Sequence, residues 1–397
     1  MKKEEEFLKN MSYQKSQTRV RNIPDIDIRK LPPDKPLAVT VAFLVVIGLM
    51  IIFSASAQKC IDMGCSPLRF FIQQLLGVFA GCAGMWFLSN YNYKNLKTKS
   101  LMVAVVVIVL LVLVKLIGTT VNGAQRWLYI GPVNLQPSEL AKPAVVMLLA
   151  GAFYRDAKLF TQRKIFLAYI PILIMVALIF KQPNLSMVML LFFTSVVMYL
   201  MAGGLWQLIV GFSVPAISLL LLHGLHDYQS SRIMTWLHPE ADPLGAGYNI
   251  MQSLVAIASG NFWGVGFGNS KQKLAWLPEA HTDFIFSVYS EEMGFIGCLL
   301  LICLFWSFLQ RGVIIASKCN DMYGKLLALG LTFSICFQGF LNMWVASSFV
   351  PATGVPMPFI SYGGTSIMVS LWMVGILFNI SKENEKKIRM QQNVRYM

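Results

Sequence analysis

Long apolar runs separated by short polar ones set the rhythm of this chain. Stretches of about 20 mainly apolar residues, the length of a helix that crosses a bilayer, occupy 37–57, 70–89, 100–118, 137–154, 165–181, 184–202, 205–223, 284–309, 326–346 and 362–380. The pattern predicts an all-α polytopic membrane protein with about ten transmembrane helices. The fifth and sixth runs nearly fuse at Gln182-Pro183-Asn184, which reads as a tight turn because proline disfavours helix at the residue before it. A tail (1–36), a ten-helix membrane domain (37–380) and a second tail (381–397) follow, and both tails read as poorly ordered. Within the domain, 119–136, 224–283 and 347–361 are the long connections, the largest between helices seven and eight. In 224–283, Ile250, Leu254 and Ile257 recur at helical spacing with Met251, Val255 and Ala258 beside them, and Asn249, Gln252 and Ser253 lie opposite. That spacing predicts an interfacial or re-entrant helix.

The basic residues give the orientation. Lys and Arg number nine in the first tail, three in 90–99, four in 155–164, three in 310–325 and five after 381, against nine elsewhere. Cytoplasmic loops carry this excess, so both termini are expected in the cytoplasm and the three long connections outside it. Charged residues make up only 13% of the chain, about half the share in soluble domains. The net charge of +14 is therefore a topology signal, and without a basic stripe on a soluble domain it does not point to nucleic acid. The polar first 36 residues do not read as a cleavable signal peptide.

Candidate chemistry gathers on the outer side. Charges at membrane depth are costly and mark function by default. Glu139 and Lys142 open the fourth helix three residues apart and can pair. Arg126 precedes them beside Trp127, where an interfacial anchor is the plainer reading. Asp283 stands where the large connection meets the eighth helix, with His281 beside it and Glu291 and Glu292 two turns below. Thr282 or Asp283 could simply cap that helix; the functional reading of Asp283 is a general base at the water–lipid boundary. No His or Cys spacing marks a zinc site, whereas an oxygen-ligated Mg or Mn would leave no mark. Gly264-x-Gly266-x-Gly268 is neither a P-loop nor a dinucleotide fingerprint. It is either a flexible loop or a backbone cradle for pyrophosphate, with Lys271 and Lys273 as nearby point charges. Of seven cysteines, Cys60 and Cys65 share a short outer turn, and the sequence leaves open whether they are bridged.

Four segments together resemble the family of FtsW, RodA and SpoVE over roughly 40–380. They are Asn122-Gly123-Ala124-Gln125-Arg126-Trp127 with Gln136-Pro137-Ser138-Glu139-Leu140-Ala141-Lys142, the Gln182-Pro183 turn, Leu277-Pro278-Glu279-Ala280-His281-Thr282-Asp283-Phe284 with Glu291-Glu292-x-Gly294, and Pro358-Phe359-Ile360-Ser361-Tyr362-Gly363-Gly364-Thr365-Ser366. The stretch 268–274 is more similar to FtsW or SpoVE than to RodA. The resemblance implies an inverting glycosyltransferase of the bacterial cytoplasmic membrane that polymerises lipid II into peptidoglycan strands, with Asp283 as the essential carboxylate. The alternative is a lipid II flippase without polymerase activity. It further implies a class B penicillin-binding protein as partner, within the division or elongation machinery, and allows a divalent cation. The expected substrate-binding set is Arg126, Glu139, Lys142, Arg232, Gln252, Lys271, Lys273, His281, Glu291, Glu292 and Ser361. Arg126 and Lys142 would meet the anionic headgroup, with Glu139 orienting Lys142. The chain departs from the family pattern at Asn184, where an aspartate is usual, and at Asn249, where a glutamine is.

Overall fold

The fold comes from a computed structural model that describes residues 26–396 apart from 63, 122–123, 131–132, 155–162, 183, 204–233, 242–244, 246 and 275. The expected seventh helix, 205–223, and Arg232 lie outside the described residues. Among the described ones, the apolar runs become α1 (Lys35–Asp62), α2 (Arg69–Asn90), α3 (Lys94–Ile117), α4 (Pro137–Phe153), α5 (Arg163–Phe180), α6 (Leu185–Met201), α8 (Ile285–Ser317), α9 (Met322–Ala346) and α10 (Gly364–Tyr396), and the 224–283 connection contributes α7 (Tyr248–Ser259). Six of these are long and apolar enough to cross a membrane: α1, α2, α3, α8, α9 and α10.

Local chemistry sets several helix starts. Asp34 accepts the Leu37 amide at 3.0 Å, Asn184 the Met187 amide at 3.3 Å and Asp321 the Gly324 amide at 3.1 Å, each satisfying a first-turn N–H. Pro137 opens α4, where its missing N–H costs nothing. The family's aspartate at 184 is thus replaced by an equally good capping residue.

Burial is inverted relative to a soluble protein. Phe43, Phe79, Trp86, Val105 and Trp306 lie exposed along α1, α2, α3 and α8, while Gln74, Glu139, Lys142, Gln338 and Asn342 are buried. A bilayer solvates the first group and not the second. Lipid gives helices little hydrophobic drive to associate, so small residues set their contacts. A β-carbon on Gly81 of α2 would sit 2.5 Å from Leu371 of α10, and one on Gly375 of α10 would sit 2.6 Å from the Met85 carbonyl.

Three differences from the sequence reading have physical causes. The 119–136 connection is a three-stranded antiparallel meander, β1 (Thr119–Val121), β2 (Ala124–Ile130) and β3 (Val133–Leu135), so the chain is mostly rather than wholly helical. Leu128 pairs with Leu135 and Thr119 with Trp127, and these ladders keep the backbone bonded where a loop would not. The second tail is not loose: α10 runs on to Tyr396, with Asn384 Nδ2 donating to the Ile315 carbonyl, Lys382 to Asn90 and Arg389 to Glu385. The end of the first tail is likewise fastened, through a bidentate Arg311–Asp34 pair. The helix expected in 224–283 is α7, with its polar Ser253 on the side that meets the protein. Ile250, Ser253 and Ala256 face the protein, and Met251, Leu254 and Val255 are exposed. Ser253 donates to the Ala346 carbonyl and bonds Ser287, both at 2.6 Å, and apolar side chains of a membrane helix need no such partner.

The connections sort to two ends. Asp34, Tyr93, Arg311, Asp321 and Asn384 meet at one. The meander, the Gln182–Asn184 turn, the 260–283 segment and the 347–363 segment meet at the other.

Candidate functional site

Asp283 lies in the turn that delivers the chain to α8, and it is half-buried. It does not cap the helix: the capping position is Phe284, without a side-chain bond, and Thr282 Oγ donates instead to the Glu279 carboxylate and carbonyl. The backbone around Asp283 is pinned. Asn342 of α9 donates to the Asp283 carbonyl at 2.9 Å and to the Val355 carbonyl at 2.8 Å. Ser361 Oγ donates to the Thr282 carbonyl at 2.7 Å, and the Tyr362 amide to the His281 carbonyl at 2.9 Å. These bonds lay the 347–363 segment over Asp283. Within that segment Gly354 has φ +68°, and a β-carbon there would come within 3.2 Å of Asp283 Oδ2.

A buried polar chain holds the segment from below. Lys142 Nζ lies 2.6 Å from Glu139 Oε2 and donates to Gln338 Oε1 at 2.6 Å; Gln338 Nε2 then donates to the Pro356 carbonyl at 2.7 Å. The ion pair is close, but its angle is not that of a hydrogen bond, so both Glu139 oxygens lack a well-aligned donor among the described residues. Ser186 Oγ donates to the Thr353 carbonyl, and Trp236 Nε1 to the Ser348 carbonyl at 2.9 Å. Arg126, in β2, fastens the meander to the α5–α6 turn by donating to the Gln182 carbonyl at 3.0 Å.

A second cluster lies between α1 and Asp283. Lys59 Nζ is 3.4 Å from Glu279 Oε1 and 3.5 Å from His281 Nε2. The His281 ring is buried against Phe70 and Tyr362, with centroids at 5.3 and 5.8 Å. Burial first, and then the Lys59 charge, push His281 down to about 4, so it is neutral at pH 7. Burial works against the Glu279 carboxylate, yet Lys59 and the Thr282 hydroxyl outweigh it and hold its carboxyl below the usual range. Burial raises the Tyr362 hydroxyl to about 12, so it serves as a hydrogen-bond donor, here to Gln73 at 2.5 Å.

Glu291 and Glu292 belong to a third cluster, built on a break in α8. Gly294, at φ 63° and ψ −166°, interrupts the helix. The 260–266 segment fills the gap. Phe295 and Ile296 donate their amides to the Asn261 and Phe262 carbonyls, while Val265 and Gly266 donate theirs to the Glu291 and Glu292 carbonyls. The glycines are therefore needed by positive φ and close contact: a β-carbon on Gly264 (φ +82°) would sit 2.2 Å from the Glu292 carbonyl. The Val265 and Gly266 amides thus face α8 and are not open to a pyrophosphate. The Glu291 carboxylate is caged by the Ser270 hydroxyl at 2.5 Å and the Lys271 and Gln272 amides at 2.9 and 3.3 Å. Glu292 pairs with Lys273 at 2.8 Å, and Ser54 bridges the two. Ser54 and Lys273 also line an apolar groove of about 260 Å³ between α1 and residues 267–274.

The structure thus brings Asp283, His281, Ser361 and the Glu139–Lys142 pair into one bonded assembly. Glu291, Glu292, Lys271 and Lys273 form another, and Arg126 stands apart on the meander. Gln252 is half-buried on α7 next to Ser253, which makes that helix's anchoring contacts. Lys59, Glu279, Gln338, Asn342 and Gly354 escaped the sequence reading. Gln338 and Asn342 left a signal, since uncharged polar residues inside an apolar run must find partners there. Lys59 leaves no such signal, since it is a single charge just past the end of an apolar run.

Apolar faces outward, buried charges at membrane depth and a pinned carboxylate at one end define a multi-pass membrane protein with its chemistry at the boundary. A family model described as cell cycle protein, covering FtsW, RodA and SpoVE, matches residues 35–386, and the chain belongs to this family. It is 36% identical over 355 residues to a probable peptidoglycan glycosyltransferase FtsW of Trichlorobacter lovleyi, covering 88% of this chain and 93% of that one. It is also 36% identical over 359 residues to stage V sporulation protein E of Bacillus subtilis, covering 89% and 98%. A chain of a peptidoglycan synthase complex that coordinates polymerization and crosslinking superposes with TM-score 0.75 at 27% identity, over 89% of this chain and 99% of that one. The rod shape-determining protein RodA of Thermus thermophilus superposes with TM-score 0.67 at 25% identity, over 89% and 98%.

Proposed function

We propose that the chain is a peptidoglycan glycosyltransferase, polymerising lipid II on the outer face of the bacterial cytoplasmic membrane, with both termini in the cytoplasm and Asp283 as general base. The observation that carries this is the Asp283 carboxylate, which caps no helix and lies under the 347–363 segment on a backbone fixed from α9 and from that segment. In the reaction the 4-hydroxyl of an acceptor GlcNAc gives its proton to Asp283 while its oxygen attacks C1 of the donor MurNAc. The C1–pyrophosphate bond breaks and undecaprenyl pyrophosphate leaves with inversion. A base held in place contributes about 10²–10⁴-fold.

The leaving pyrophosphate calls for positive charge. Lys142 and Lys273 are committed to Glu139 and Glu292, so their part is to shape the site. Lys59, 34% exposed, and the exposed Lys271 can reach an anion. Arg126 and Arg232 complete the candidates. No three His, Cys, Asp or Glu side chains converge as a metal cage among the described residues, so a divalent ion here would lean on the substrate's own phosphates, as Mg commonly does. The relative that couples polymerization to crosslinking supports a class B penicillin-binding protein as partner, in a division or elongation assembly.

The test is purified protein, alone and with that partner, given lipid II. Wild type makes long strands and Asp283→Asn loses at least about 10²-fold. An unchanged rate in Asp283→Asn removes Asp283 as base. Lipid II crossing vesicles without any polymer replaces this reading with the flippase.

A further inference from the structure

The end of α1 is closed by a motif whose geometry brings two particular side chains together. The Gly64 amide donates to the Ile61 carbonyl and the Cys65 amide to the Cys60 carbonyl, both at 2.9 Å, with Gly64 at φ +64°. This nested pair of bonds is a Schellman motif, in which the residue after the left-handed position folds back onto the residue five before it, usually as an apolar contact. Here both members of that contact are cysteines. Cys60 is fully buried and Cys65 half-buried. The Cys60 sulfur also faces the Arg69 and Phe70 amides that open α2.

We propose that Cys60 and Cys65 are a modification site, oxidised to a disulfide by an extracytoplasmic oxidant that itself carries a disulfide. The compartment rests on the outward orientation proposed above, because disulfides persist only in oxidising surroundings. Exposure sets the order of events. Cys65, as thiolate, attacks the oxidant's disulfide, forming a mixed disulfide and releasing one oxidant thiolate. Cys60 loses its proton and attacks Cys65 Sγ, and the second oxidant thiolate leaves. Two protein thiols are oxidised, one oxidant disulfide is reduced to two thiols, and the two protons pass to those thiolates.

The bond clamps a turn that carries part of the site. Lys59, next to Cys60, meets Glu279 and His281, and Phe70, beside the Cys60 sulfur, packs on His281 and Tyr362 at 5.3 and 4.9 Å. Fixing 60–65 fixes Lys59 relative to Asp283's own segment.

The experiment is differential alkylation of the full-length protein in cells quenched with acid. Free thiols take a first maleimide, and those released by reductant take a second. Cys60 and Cys65 should carry the second label, and Cys82, Cys298, Cys303, Cys319 and Cys336 the first. First label on Cys60 and Cys65, in cells whose secreted control disulfide is intact, overturns the proposal. Thermal inactivation gives an independent readout. Reductant should lower the wild-type midpoint to that of Cys65→Ser and leave Cys65→Ser unmoved; equal shifts in both proteins overturn the clamp. A membrane-impermeant maleimide on reduced intact cells should reach Cys65. Labelling only after lysis defeats the outward orientation, separately from the alkylation result.

Discussion

At the scale of single residues, the buried charges make the sharpest demands. Lys142 and Glu139 are 2% and 0% exposed and lie 2.6 Å apart. Removing one partner strands the other in a medium that cannot solvate it, which costs roughly 3–5 kcal/mol. Lys142→Met alone should therefore unfold the protein at lower temperature than Lys142→Met with Glu139→Gln, as measured by thermal aggregation in detergent. His281 yields a pH dependence. Its imidazole sits near 4 in the fold against an ordinary 6.5, so the unfolded chain takes up the proton first as pH falls. Stability is intact above about pH 6.5, and about 2 kcal/mol is gone by pH 5. His281→Gln should flatten that part of a pH–stability profile. Gly354→Ala tests the segment over Asp283. The left-handed backbone resists a side chain at a cost of about 1 kcal/mol, while the new methyl crowds the carboxylate, so polymerisation should fall far more than the melting temperature. The sequence exposed Asp283 and the Glu139–Lys142 spacing because charge at a membrane boundary is conspicuous. It concealed Gly354 and Lys59, whose importance comes only from what the fold sets against them.

At the scale of elements, what periodicity could locate it could not always orient. The pattern placed α7 and left open which side meets the protein, because an apolar face means core in water and lipid in a bilayer. Ser253 then supplies the inward contact that the apolar residues do not need. The meander escaped because strands of three to seven residues leave little alternation to detect. The break in α8 could not be read from the apolar run 284–309, since Gly294 alone also occurs in unbroken helices. Its consequence is testable through Glu291. Glu291→Ala removes the acceptor for Ser270, Lys271 and Gln272, so trypsin should cut after Lys271 or Lys273 several-fold faster than in wild type while α8 remains folded. An unchanged cleavage rate would show that the backbone bonds at 261–266 hold the segment unaided.

At the scale of the whole molecule, the two ends differ in kind. One collects structural pairs such as Arg311–Asp34 and the continuation of α10, and the other collects every polar assembly around Asp283. The basic residues point to the same division, because the bias is counted over loops and survives errors in helix bounds. The division predicts that deleting residues after Lys386 leaves glycosyl transfer by the purified protein nearly intact. The spliced helix α8 carries a further implication, for the lengths this chain can tolerate. A glycine-rich surface stretch normally accepts inserted residues freely. Here four main-chain bonds tie Asn261, Phe262, Val265 and Gly266 to fixed rungs of α8. One extra residue between Phe262 and Val265 would leave two rungs without a mate inside the bilayer. A reporter tag should therefore be accepted next to Gly268 and rejected four residues earlier, in what looks like the same loop.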